Sequence, residues 1–185
     1  MSEIAISKRF ALAVYELAKE QKISQTVRDD MDLISNTIRA SRELKVFLSS
    51  PIVKTANKLK IISDLFESKV SDLTHRFIQL IAKHKRENLI GLISDEYLSL
   101  YNEDHNIIIA NITTAVKLDN ELRKRLIQIV EKQTEKTVIL KESVDTSLIG
   151  GFLLNVNNKE FDTSLSKGLK KLRKEFNVNV YQKGF

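Results

Sequence analysis

Apolar residues recur at helical spacing through the first hundred positions, and the period changes once, after residue 102. Residues 4–20 predict a first helix with two apolar stripes. Ile6, Phe10, Ala13 and Leu17 form one; Ile4, Ala11, Tyr15 and Ala18 form the other. A helix apolar on two sides needs cover on two sides. Either it runs through the middle of a bundle, or one stripe receives a helix from another chain, with alanines permitting close approach. Ser24 or Thr26 is expected to open a second helix facing inward through Val27, Met31, Ile34 and Ile38. Ser41 caps a short third with Leu44, Phe47 and Leu48, and Pro51 then breaks the chain, because a residue before proline avoids helical dihedrals. A fourth helix over about 54–67 turns Leu59, Ile62, Leu65 and Phe66 inward. Ser71 or Asp72 leads into a fifth, with Leu73, Phe77, Leu80, Ile81 and His84 on one face. The sixth runs from about 88 to 102 through Leu89, Leu92, Ile93, Tyr97 and Leu100. Six helices with short connections make an antiparallel bundle.

Beyond the polar stretch 102–106 the pattern is that of a different fold. Residues 107–115 are nearly continuous β-formers, expected as a strand covered on both faces. Asp119 caps a helix carrying Leu122, Leu126, Ile129 and Val130, and 137–141 and 152–157 read as strands. Asp162 is expected to cap a last helix over 163–176, on Leu165, Leu169, Leu172 and Phe176. Val178 to Tyr181 is a further short strand or a frayed tail. The order is β-α-β-β-α, so the fold class is mainly α with an α+β part: a bundle over 1–104 and a small domain over 105–185.

Between strands 137–141 and 152–157 lies a compact corner, Val144 to Phe152. The Asp145 carboxylate can accept from the backbone N–H of Ser147 or Leu148. Leu148 and Ile149 pin the corner to a core, and Gly150 and Gly151 give the backbone freedom to leave it. If Gly150 takes a positive φ, a β-branched residue there is an outlier that cripples this half. A phosphate-binding reading of the two glycines lacks the Lys and Ser/Thr that such loops carry.

Composition narrows the functions. There is no cysteine, which excludes disulfides, thiolate metal sites and cysteine nucleophiles. No apolar run approaches the roughly 20 residues that span a bilayer, and the N-terminus lacks a signal pattern, so a cytoplasm-like compartment is expected. The three histidines share no metal-ligand spacing, no Ser/His/Asp set is suggested, and the carboxylates mostly lie opposite apolar stripes; no catalytic site and no cofactor are expected. The net charge of +6 is uneven: residues 1–104 hold 16 Lys+Arg against 15 Asp+Glu, and residues 105–185 hold 14 against 9. The densest basic run is Lys167, Lys170, Lys171, Arg173 and Lys174. It suits a solvated face, a contact with an acidic protein helix, or nucleic acid, although no aromatics interleave it.

Three blocks of residues add a resemblance. The run Val144-Asp145-x-Ser147-Leu148-Ile149-Gly150-Gly151-Phe152-x-Leu154-x-Val156, followed by Asp162-x-Ser164 and Leu169-x-x-Leu172, closely resembles the C-terminal signature of the delta subunits of bacterial F-type ATP synthase, whose mitochondrial counterpart is the oligomycin-sensitivity-conferring protein. Arg9-Phe10-Ala11-x-Ala13-Val14-Tyr15-x-Leu17-Ala18 is similar to that family's opening, and Phe77-Ile78-x-Leu80-Ile81 with Arg86, Leu89, Ile90 and Ile93 to its middle. The blocks cover essentially the full chain in order. One departure is His84-Lys85-Arg86, where the family often has Asn-Gly-Arg or Asn-Lys-Arg.

The resemblance implies a non-catalytic stator part of the proton-translocating ATP synthase, one copy per complex, on the cytoplasmic face of the bacterial plasma membrane and touching the membrane only through the complex. It implies that the bundle binds the N-terminal helix of an alpha subunit in a groove between the first and fifth helices. The second domain would hold the C-terminal region of the b subunits, so that the head does not turn with the rotor. No nucleic acid partner is implied. For that groove, Phe10, Ala13 and Leu17 are expected from the first helix, and Ile78, Ile81 and Ala82 from the fifth; helical spacing leaves open which stripe faces the bundle. The alternative is a basic nucleic-acid-binding protein using the second half. An enzyme has no feature in its favour.

Overall fold

The computed structural model describes residues 3–148, 150–156 and 159–162, and the chain divides into two compact units between His105 and Asn106. The first unit is helical: α1 (Glu3–Glu20), α2 (Ser24–Ala40), α3 (Arg42–Ser49), α4 (Thr55–Phe66), α5 (Asp72–Lys83) and α6 (Ile90–Asp104), the last entered through a 3-10 turn at Glu87–Leu89. Helix α6 is the centre, with α1 and α2 packed along it. Ala11, Val14, Ala18, Val27, Ile34, Ile93 and Tyr97 are fully or almost fully buried between them. Alanines at 11 and 18 let α1 approach closely, and Tyr15 meets Tyr97 edge to face, 5.5 Å between centroids.

Local side-chain caps set the starts of three helices. Ser41 accepts from the N–H of Leu44 at 3.1 Å and Ser71 from that of Thr74 at 3.5 Å, so both are N-caps. Helix α2 opens at Ser24, as expected, and its cap is Ile23, without a side-chain hydrogen bond. Two buried polar clusters join helices. Asp30 on α2 accepts from Ser71 N at 2.9 Å, Ser71 Oγ at 2.5 Å and Thr74 Oγ1 at 2.7 Å, which fixes the start of α5. Lys58 on α4 donates to the Leu48 carbonyl at 2.7 Å and to Glu87 at 2.8 Å, all inside the bundle.

The second unit holds β1 (Ile107–Thr114), α7 (Asn120–Thr134), β2 (Thr137–Val144), β3 (Phe152–Val156) and β4 (Lys159–Asp162). The sheet order is β2-β1-β3-β4. Strands β1 and β2 run parallel around α7, with Ile108 opposite Val138, while β1–β3 and β3–β4 are antiparallel. Register gathers Ile108, Ala110, Ile112, Val138, Leu154 and Val156 on one face, and Val130, Leu126 and Ile127 of α7 cover them.

Four expectations are corrected here. Burial along β1 alternates, so the strand is deeply buried on one face only. On α7, Leu122 and Ile129 are exposed and Ile127 packs instead, because covering a small sheet face takes a narrow stripe. Asp162 ends strand β4, which was not expected, by pairing with Leu153. Lastly, α5 is rotated: Thr74, Ile78, Ile81 and Ala82 are buried, Leu73 and Phe77 are half-buried, and Leu80 and His84 are exposed. Ile149, the helix expected over 163–176 with its basic run, and residues 178–181 lie outside the described residues.

Candidate docking face on the helical unit

The two stripes of α1 have different fates. The stripe of Ala11, Tyr15 and Ala18, joined by Ser7 and Val14, is buried against α6; only Ile4 at its end is exposed. The other stripe is left uncovered: Ile6 and Phe10 are half-buried, Ala13 is exposed, and Leu17 is 46% exposed. Against it lies a surface cavity of about 490 Å³ lined by Ile6, Arg9, Phe10, Ala13, His84 and Arg86. Here α1 faces the turn that follows α5.

Of the expected groove residues, Phe10 and Ala13 line this cavity and Leu17 continues their stripe. Ile78, Ile81 and Ala82 do not. They are 4%, 0% and 0% exposed, within the bundle, and cannot meet a partner without the helix turning. The exposed side of α5 is Leu80 and His84, with Phe77 half-buried beside them. The reason is that Thr74, which contacts Asp30, lies on the same face as Ile78 and Ile81, and the buried Asp30 holds that face inward. Sequence periodicity scores Leu80 and Ile81 alike; only the Asp30 contact, 44 residues away in sequence, separates them.

The far end of α1 is fastened by polar contacts. Tyr15 donates to Asp104 at 2.8 Å, and Lys19 donates to the same carboxylate at 2.9 and 3.0 Å. The Lys19 hydrogen bond, followed by that from Tyr15, holds the Asp104 carboxyl below its usual range. Burial first, and then the hydrogen bond to Asp104, push the Tyr15 phenol well above its ordinary value; burial does the same to Tyr97.

In the corner of the second unit the Asp145 turn forms as its residues suggest, while Leu148 is half-buried and is not among the residues packed on the sheet core. Asp145 accepts from Ser147 N at 2.9 Å, and hydrogen bonding from the Ser147 side chain, followed by this backbone N–H, holds its carboxyl below the usual range. Leu148 N closes the turn on the Asp145 carbonyl at 3.1 Å. Gly151 is left-handed, at φ 79°, directly before β3, with Gly150 half-buried beside it. Among the described residues no group of His, Asp and Glu could hold a metal, and no helix is long and apolar enough to cross a membrane.

The family model described as "ATP synthase delta (OSCP) subunit" matches residues 6–176, nearly the whole chain. The chain belongs to that family. Its relatives include the ATP synthase subunit delta of Chlorobaculum parvum, 35% identical over 94% of this chain and 96% of the relative. That of Christiangramia forsetii is 33% identical over 95% of both chains. Among solved structures, a chain of the Toxoplasma gondii mitochondrial ATP synthase hexamer superimposes with a TM-score of 0.67 over 92% of this chain and 96% of that one. At 20% identity that likeness speaks for the fold alone.

Proposed function

We propose that the bare stripe of α1, with the cavity beside it, receives the N-terminal helix of an ATP synthase alpha subunit. The family makes the chain a delta-type subunit of the F-type ATP synthase, a non-catalytic part of the peripheral stalk of a membrane-associated complex. Within that role the helical unit grips the head and the second unit holds the C-terminal region of the b subunits, one copy of the chain per complex. The complex would lie with this subunit on the cytoplasmic face of the bacterial plasma membrane. Torque from the rotor then meets a tether, and the head stays still.

One observation carries the docking reading: a long helix keeps one apolar stripe buried and a second in solvent, next to a cavity. An amphipathic helix lays its apolar side into such a groove through residues spaced three and four apart. The apolar contacts are Ile6, Phe10, Ala13 and Leu17 on α1, with Leu80 and Phe77 from α5 replacing the buried Ile78, Ile81 and Ala82.

Titration calorimetry of the full chain with an alpha N-terminal peptide tests this. Ala13→Arg places bulk and charge at a close helix contact on an exposed site, so binding should be lost while the circular dichroism spectrum is kept. Undiminished affinity in a folded Ala13→Arg protein would sink the assignment.

A further inference from the structure

Helix α5 packs on α4 and α2 and carries two apolar faces. Ile78, Ile81 and Ala82 share one with Thr74; Leu73, Phe77 and Leu80 form the other, roughly 100° further round the axis. The second face is the bulkier, so burial of apolar area alone would turn it inward. The structure does the reverse: the first face is buried, and Leu80 is 46% exposed. The difference lies in Asp30 of α2, itself only 7% exposed. Its Oδ2 accepts from Ser71 N, Ser71 Oγ and Thr74 Oγ1, and the two hydroxyl oxygens lie 3.0 Å apart. A buried carboxylate needs those donors, and a buried hydroxyl needs an acceptor. Bringing Thr74 to α2 fixes one rotational setting of α5, and that setting leaves Leu80, with Phe77 beside it, on the outer side.

We infer that Asp30 is a positioning residue for the docking face: from α2, none of whose residues lines the cavity, it sets the rotation of α5 and so decides which apolar side chains meet the partner helix. This rests on the docking reading above. A buried polar contact here selects between two apolar packings, and it selects the one that burial of area disfavours. Without that contact α5 turns Leu73, Phe77 and Leu80 toward the bundle and brings Ile78 and Ala82 outward. The docked helix then loses the large side chains of α5 that it lies against, and Ala82 offers little area in return. Partner binding is thus governed by a residue buried away from the partner.

The chain has no cysteine, so single thiol reporters in the full chain are unambiguous. Leu80→Cys reads the outer face of α5, Ala82→Cys its inner face, and Ser94→Cys the buried side of α6. With Asp30 present, a maleimide should label the first quickly and spare the other two. With Asp30→Ala, the reporter at 82 should open and that at 80 should slow, while the one at 94 stays protected. In the cysteine-free chain the same Asp30→Ala change should weaken binding of an alpha N-terminal peptide about tenfold. Asp30→Asn keeps the shape and an acceptor oxygen, so it should keep the labelling pattern and most of the affinity. Unchanged labelling overturns the inference, and so does opening at 82 and 94 together, which is general loosening. Should Asp30→Ala fail to fold, Ser71→Ala with Thr74→Val removes the two hydroxyl donors instead; it should give the same exchange of labelling, and no exchange overturns the inference. If wild type binds no alpha peptide, the docking reading fails and this one with it; if the alanine variant binds as tightly as wild type, the positioning role alone fails.

Discussion

At the scale of single residues, the bundle depends on two buried polar groups. Lys58 is 4% exposed and Glu87 5%, and the pair ties α4 to the entry of α6 and to the Leu48 carbonyl ending α3. Removing one partner leaves the other charge buried without compensation. Lys58→Met should therefore cost about 3–5 kcal/mol, read as a lower urea midpoint with an unchanged slope. Replacing both residues by apolar ones of similar size should recover most of the loss. A second residue-scale expectation concerns pH. The Tyr15 and Tyr97 phenols are raised in the folded chain by burial, so they stay neutral where the unfolded chain would ionise them. A raised folded value gives stability that is complete below the unfolded value, about 10, and is lost as pH rises through the folded one. Melting temperature should thus fall above about pH 10, and Tyr97→Phe should make that fall shallower.

At the scale of elements, the critical turn is the corner between β2 and β3. Gly151 sits at φ 79°, where a β-branched residue is strained by about 1–3 kcal/mol. Gly151→Val should loosen the second unit, seen as faster proteolysis there and loss of b-subunit binding, while alpha-peptide binding persists. Equal loss of both would mean that the two units do not act separately. This corner was legible in the residues, since Asp145 and the two glycines act within a few positions of each other. So were the caps at Ser41, Ser71 and Asp119, whose partners are local. What periodicity could not settle was rotation about a helix axis. On α5 the apolar residues at 73, 77, 78, 80 and 81 spread over nearly half the circumference, and the choice of inner face falls to Asp30 from another helix. Burial of Lys58 was equally hidden, because its partner Glu87 is 29 residues away and a lysine among apolar neighbours reads as surface. Strand β4 escaped for a related reason: its four residues Lys159–Asp162 carry little β-former pattern, and pairing with β3 makes the strand.

At the scale of the whole chain, residues 1–105 contain a complete set of packed helices with its own polar ties, whereas the second unit is built on one small sheet face. A fragment ending at His105 should fold alone and melt cooperatively by circular dichroism, at a temperature near that of the helical part in the full chain. A non-cooperative melt would show that the bundle needs the rest of the chain.

The fastening of Asp104 by Tyr15 and Lys19 has a mechanical meaning. The chain leaves the bundle at His105, one residue beyond that carboxylate. A pull on the exit strand of a free helix end would peel its last turn open one hydrogen bond at a time. Here the last turn of α6 is bonded sideways to α1, whose long buried stripe lies along the same helix. Tension entering at residue 106 is thereby shared across two helices as shear, in which many contacts resist together. In a subunit that must hold a head against torque, that geometry turns a weak unzipping path into a stiff one.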